Sequence, residues 1–258
     1  MLEQSGSRAW LAAGLLLLLI ACGPAPRSPM PELITPQWQD GETSRYEVVR
    51  ADSVLFERVI QLRFDEESGT PSIIVTSVVR PQQAEVALYD SAVFELRRFS
   101  LKPLWSYRVV TTDLSALEVE VRYEPGAVEV EKQFIEGTDR QVLKVGRDAF
   151  GAEMLPFLLR AVRLTPGTSF TVSAVAGLEM RVVSTDVAVL GTRLVKTGLG
   201  DILCREVELR SPPRNVSLLY ELAEPHRLVA IEDPDNKSVT RLVGYSAASP
   251  DLPASGLP

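Results

Sequence analysis

LEVEVRYEPGAVEVEKQF, Leu117–Phe134, decides the fold class. Leu117, Val119, Val121 and Tyr123 share one face of an extended chain, while Glu118, Glu120 and Arg122 share the other. A side-chain period of two belongs to a strand with one buried face. After Pro125-Gly126 the alternation resumes, with Val128, Val130 and Phe134 opposing Glu129, Glu131 and Gln133. Two such runs around a Pro-Gly turn form an antiparallel hairpin.

The same pattern spreads in both directions. Before the hairpin it predicts strands over 45–50, 53–64, 72–80, 85–90, 92–99 and 104–111. After it, Phe170, Val172 and Ala174 alternate with polar residues, as do Leu178, Met180 and Val182 beyond a break at Gly177. Val216, Leu218, Tyr220 and Leu222 mark a further strand, and LVAIEDPDNKSVTRLVGY predicts two more around Asp233–Asn236. The fold class is therefore mainly β: a large curved antiparallel sheet, an open or half barrel of about 10–12 strands with one wet face. Accumulated twist makes such a sheet curl as it grows. No repeat of solenoid or propeller type runs through it.

One segment departs from period two. In DAFGAEMLPFLLRAVRLTPGTSF, Asp148–Phe170, the residues Met154, Leu158, Ala161 and Val162 follow helical spacing, and Phe157 and Leu159 widen the apolar stripe. An apolar helix near 150–163 is expected on the concave face of the sheet. Asp148 is placed to cap it, Pro156 fits its first turn, and Arg160 and Arg163 suit the negative end of its dipole. Pro166-Gly167 ends it.

The amino-terminal segment has another character. Residues 9–21 carry no charge but are too few to span a bilayer comfortably, and they have the length of a signal-peptide core. Leu19-Ile20-Ala21-Cys22 resembles the lipobox of bacterial lipoproteins. That resemblance implies cleavage before Cys22, acylation of its thiol and a stable membrane anchor of two or three acyl chains. Residues 1–21 are then the signal peptide and 22–37 a Pro-rich tether, able to reach up to roughly 45 Å. Residues 38–246 form the β domain, and 247–258 an unpatterned tail. In the lipoproteins it resembles, an Asp after the cysteine favours retention at the inner membrane. Gly23 implies the outer membrane, facing the periplasm.

Charge and motifs exclude several classes of function. Removing one Arg and one Glu with the leader leaves 26 basic and 33 acidic residues, so the net charge stays at −7. Such a chain has no electrostatic reason to bind nucleic acid. There is no P-loop or dinucleotide fingerprint, and no cofactor is expected. The domain's one histidine, His226, sits between Pro225 and Arg227 with no G-x-S-x-G elbow elsewhere. Cys204 has no disulfide partner once Cys22 is a thioether, and it is expected to be a small strand residue. Asp233, Asp235 and Asn236 lack the spacing of a calcium loop. Arg58, on the apolar face of VLFERVIQLRF, is either an inward polar residue or the mark of a bulge.

Residues 148–245 also resemble the second half of a group of uncharacterised bacterial envelope proteins. The likeness is carried by Asp148 with LTPGTSF, by VLGTRLVKTGLGDILCREVEL and by YELAEPHRLVAIEDPDNKSVTRLVGY. At fold level that group resembles the carriers and receptors of the Lol lipoprotein-sorting pathway. The resemblance implies an unclosed barrel with helical lid elements over an apolar cavity. Here Pro156 interrupts the helix, and one helix stands where the Lol carriers have more. The expected function is a non-catalytic, membrane-anchored binding protein for a lipid or other hydrophobic ligand. Val119, Val121, Tyr123, Phe150, Met154, Phe157 and Leu158 are the expected lining. The alternative is an assembly lipoprotein with a packed interior and a protein partner in the envelope.

Overall fold

The computed structural model describes residues 31, 33–34, 38–65, 71–81, 87–97, 100–112, 115–146, 149–212 and 214–247. The leader, Cys22, Asp148 and most of the tether and tail lie outside the described residues. The described residues form one sheet of 15 strands. The first half supplies β1 (Thr43–Arg50), β2 (Ser53–Asp65), β3 (Ser72–Pro81), β4 (Ala87–Arg97), β5 (Ser100–Thr111), β6 (Ala116–Glu124), β7 (Ala127–Phe134) and β8 (Gly137–Lys144). The second half supplies β9 (Ala149–Gly151), β10 (Ser169–Ala176), β11 (Arg181–Thr197), β12 (Gly200–Ser211), β13 (Arg214–Glu221), β14 (Leu228–Asp233) and β15 (Ser238–Ser246).

The spatial order is β8-β7-β6-β5-β4-β3-β2-β1-β15-β14-β13-β12-β11-β10-β9. The first and last strands are therefore neighbours in the middle, and the two edges are consecutive in sequence. Every pairing is antiparallel except β9 with β10. This order forces the sheet to curl. Laid flat, 15 strands would span about 65 Å. The link from Lys144 on one edge to Ala149 on the other reaches at most about 18 Å. The edges do meet, through side chains rather than a hydrogen-bonded ladder. Val119, Val121, Val128 and Val130 from one edge pack with Ala149 and Val175 from the other, with Leu178 against them. Lys132 Nζ donates to the Leu178 carbonyl across the same seam, at 2.8 Å.

The sheet has more strands than period two suggested. The runs at 85–90 and 92–99 belong to one strand, β4, and Gly177–Met180 is a turn rather than the start of a strand. β8 carries no alternation legible in the sequence, because Leu143 is its only buried side chain.

The expected helix near 150–163 is present, but it is short and broken. The segment is a plug of three short pieces: a 3₁₀ turn at Ala152–Met154, one α turn, α1 (Leu155–Leu158), and a 3₁₀ turn at Leu159–Ala161. Gly151 precedes it in extended conformation, with no side-chain cap. The apolar spacing is real, but burial on nearly every side removes the need for a regular helical face. Leu155, Phe157, Leu158, Leu159 and Ala161 are all sunk in the main core among residues such as Ile60, Leu62, Phe94, Val172 and Leu218. Pro156 also removes one helical donor. Leu33, from the stretch assigned to the tether, bridges Val162 and joins this core, and Ile34 N–H donates to the Ala161 carbonyl at 2.7 Å.

Candidate functional site

The concave face carries charge as well as hydrocarbon. Cross-strand register places Ile60, Ser77, Asp90, Arg108 and Val119 in one row over β2 to β6. Asp90 and Arg108 thus stand directly opposite one another, where an opposite-charge pair stabilises a sheet. Arg108 Nε donates to Asp90 Oδ1 at 2.5 Å, and its Nη1 lies 3.1 Å from Glu153 Oε1 on the plug. Arg58 shares the inward parity of Ile60 and Leu62, and its Nε donates to Ser77 Oγ at 2.9 Å. Arg58 is therefore an inward polar residue. The bulge in β2 lies nearer its start, opposite Val48 and Val49.

Burial shapes the electrostatics of this row. It pushes the Glu153 carboxyl above the usual glutamate range, against the pull of Arg108. It pulls the Arg58 guanidinium down, against the pull of Asp90. Arg108 also loses solvent, but Glu153 and Asp90 outweigh that loss and hold its pKa up. The Tyr123 hydroxyl is raised by burial and by the Glu153 charge. Asp90 Oδ2 is buried with no donor in the protein.

A pocket beside Asp90, Arg108 and Glu153 is lined also by Val119, Val121 and Met154. Its free volume is about 20 Å³, the scale of one water and far below an alkyl chain. Of the expected lining residues, the structure brings only these last three to the pocket wall. Tyr123 packs beside them in the seam, while Phe150, Phe157 and Leu158 are buried in the main core.

A second charged contact fastens the far end of the plug. Arg160 Nη1 and Nη2 donate to Glu42 Oε1 and Oε2 at 2.7 and 3.3 Å, and Nη2 also reaches the Pro225 carbonyl at 3.2 Å. Both side chains are almost wholly buried, and the guanidinium lies over the Trp38 ring. Tyr220 Oη adds a hydrogen bond to the Pro156 carbonyl at 2.8 Å. Arg160 does stand in the last turn of the plug, as expected from the sequence, but its charge is spent on a buried ion pair.

The residues weighed for catalysis or for calcium make contacts within the fold. The Cys204 thiol is fully buried, contacts the Ile202 carbonyl, and is pushed up to about 11 by burial and by Glu221. His226 Nδ1 lies 3.1 Å from the Glu221 carbonyl. Asp233 accepts from the Asn236 backbone and side chain, and Asp235 from the Asn215 N–H, as turn residues do.

No family model matches the sequence, and no curated protein matches it. Among solved structures the chain is similar to a β-barrel-like protein from Brucella abortus, a domain of unknown function named DUF1849. Identity is 12%, coverage is 82% of this chain and 99% of that one, and the TM-score is 0.51. A candidate lipoprotein from Parabacteroides distasonis aligns over 84% of this chain and 99% of its own, at 9% identity and a TM-score of 0.36. The first likeness establishes a shared barrel-like fold.

Proposed function

We propose that this is a non-catalytic lipoprotein of the bacterial envelope, anchored through Cys22 at the outer membrane and facing the periplasm, whose partner is another envelope protein. The observation that carries the reading is the plug, held in the concave face by Arg108–Glu153 at one end and Arg160–Glu42 at the other. An alkyl chain entering that space must displace the plug. Doing so strips Arg160 from Glu42 and leaves that carboxylate against hydrocarbon, where an unpaired charge is costly. A protein partner met at the outer surface requires no such rearrangement. The sealed thiol of Cys204 and the engaged ring of His226 support a non-catalytic role.

The test uses the Cys22→Ser protein, purified from the periplasm, and the acylated full chain in native membranes. The first should run free of bound lipid by native mass spectrometry and bind no fluorescent fatty acid. Cross-linking of the second should give a defined protein adduct that survives stringent washing. Stoichiometric lipid in the first sample would overturn the reading in favour of a lipid carrier. Retention of Cys22→Ser in the membrane after its leader has been removed would overturn the anchor.

A further inference from the structure

All the strongly exposed leucines among the described residues lie on one hairpin, β11–β12: Leu190 at 40%, Leu194 at 59%, Leu199 at 44% and Leu203 at 49%. Leu194 and Leu203 are cross-strand partners and point to the same side. Thr192 pairs Arg205 and Lys196 pairs Asp201 on that side, so the leucine pair is flanked by polar neighbours, with Leu199 in the turn at the tip.

The hairpin cannot hide these side chains by rolling over. Its other face carries Val195, Ile202 and Cys204, which pack on Leu219, Val229 and Ala230 in a satellite core. Arg193 Nη2 ties the same face to Glu232 at 2.6 Å. At the root, Leu190 and Gly191 stand opposite a single residue of β12, a bulge that bends the strand.

We propose that this leucine face rests on the surface of the bilayer that holds the tether. Two observations favour lipid as the occupant. The patch is aliphatic, whereas the anchoring residues of protein interfaces are mostly Trp, Tyr and Arg, with Leu under-represented. The tether also enters the fold only five residues of chain from the hairpin's root. Leu33 bridges Val162, the chain runs from there to Gly167, and Gly167 N–H donates to the carbonyl of Val189, next to Leu190. A patch of this size binds a free bilayer only marginally, but a tether keeps it at high effective concentration. The net charge of −7 points to a zwitterionic rather than an anionic lipid surface. Lys196 can bury its stem beside Leu194 and keep its ammonium among the headgroups.

The inference uses the anchored reading only to supply a membrane, and its test does not depend on cellular acylation. Leaderless protein beginning at Cys22 is coupled through that thiol to a maleimide lipid, in vesicles of phosphatidylethanolamine and brominated phosphatidylcholine. Leu199→Trp should show blue-shifted emission and quenching by bromine. Ile135→Trp, at the exposed tip of β7–β8, should show neither. Adding Leu194→Asp and Leu203→Asp to Leu199→Trp should remove the quenching while leaving the folded circular dichroism unchanged. An unquenched Leu199→Trp, or quenching that survives both aspartates, overturns the proposal. If Leu199→Trp is unquenched on vesicles but becomes protected in native membranes, the face belongs to a protein partner.

Discussion

Arg160 and Glu42, 118 residues apart in sequence, form a buried, two-pronged ion pair at the far end of the plug. It joins the plug to the residue just before β1, and so ties the second half of the chain to the first. The guanidinium Nε is left without a partner, so the site is not an ideal one.

Removing one member should therefore cost far more than removing both. Arg160→Met leaves a buried carboxylate unpaired and should lower unfolding stability by about 3–5 kcal/mol. Arg160→Met combined with Glu42→Leu should recover much of that loss, because two apolar side chains of similar size need no desolvation. Urea unfolding of the two single variants and the double variant measures the coupling. Additive losses would show that the pair does not act as a unit.

Glu153 gives a pH dependence whose sign is fixed. Its carboxyl is raised in the fold, first by burial, so the folded state holds a proton more readily than the unfolded state. Stability from this group then falls as pH rises from about 4.3, the unfolded glutamate value, and levels off above the folded pKa. Below that window its contribution is constant. Glu153→Gln removes the titration. Urea midpoints taken at several pH values should show the wild type losing ground to Glu153→Gln as pH increases. The opposite trend would mean that Arg108 outweighs burial.

The alternation that revealed the sheet also marked Arg58, and the same parity could have marked Asp90, which shares the face of Ala92 and Phe94. Each buried charge sits at a position its strand assigns to the interior. The sequence could not show which charges meet, because Asp90–Arg108 depends on the register of β4 against β5, and Arg108–Glu153 on where the plug returns. Glu42, in the polar run DGETSRY, carries no local sign of burial, and Arg160 is already accounted for by the negative end of the expected helix. The plug's apolar content was legible. Its broken geometry was not, because contacts from all sides set its conformation and helical period did not.

Cys204 should be silent in the folded protein. Its thiol has no exposed surface and a pKa pushed up to about 11, so thiolate is scarce at neutral pH. Ellman's reagent at pH 8 should label the Cys22→Ser protein only at the rate of unfolding, and promptly in denaturant. Labelling of native protein as fast as of unfolded protein would place Cys204 in an open site and revive it as a nucleophile.

The seam between the two edges makes the last prediction. A Cβ on Gly177, the buried first residue of its turn, would lie 3.2 Å from both Val119 Cγ1 and Val121 Cγ2. Gly177 is thus where the β10 end of the sheet closes on β6, with no ladder of hydrogen bonds to hold the two together. Gly177→Ala requires both valines to yield by a few tenths of an ångström and should cost little. Gly177→Val should wedge the seam and destabilise the protein by about 1–3 kcal/mol. The damage should be local as well as global. Amide exchange should speed up in β6, β7 and β8, which reach the second half through this contact, and change little in β13 to β15. Uniform acceleration across all strands would mean that the seam opens only when the whole sheet unfolds, and that the two edges form a single cooperative unit.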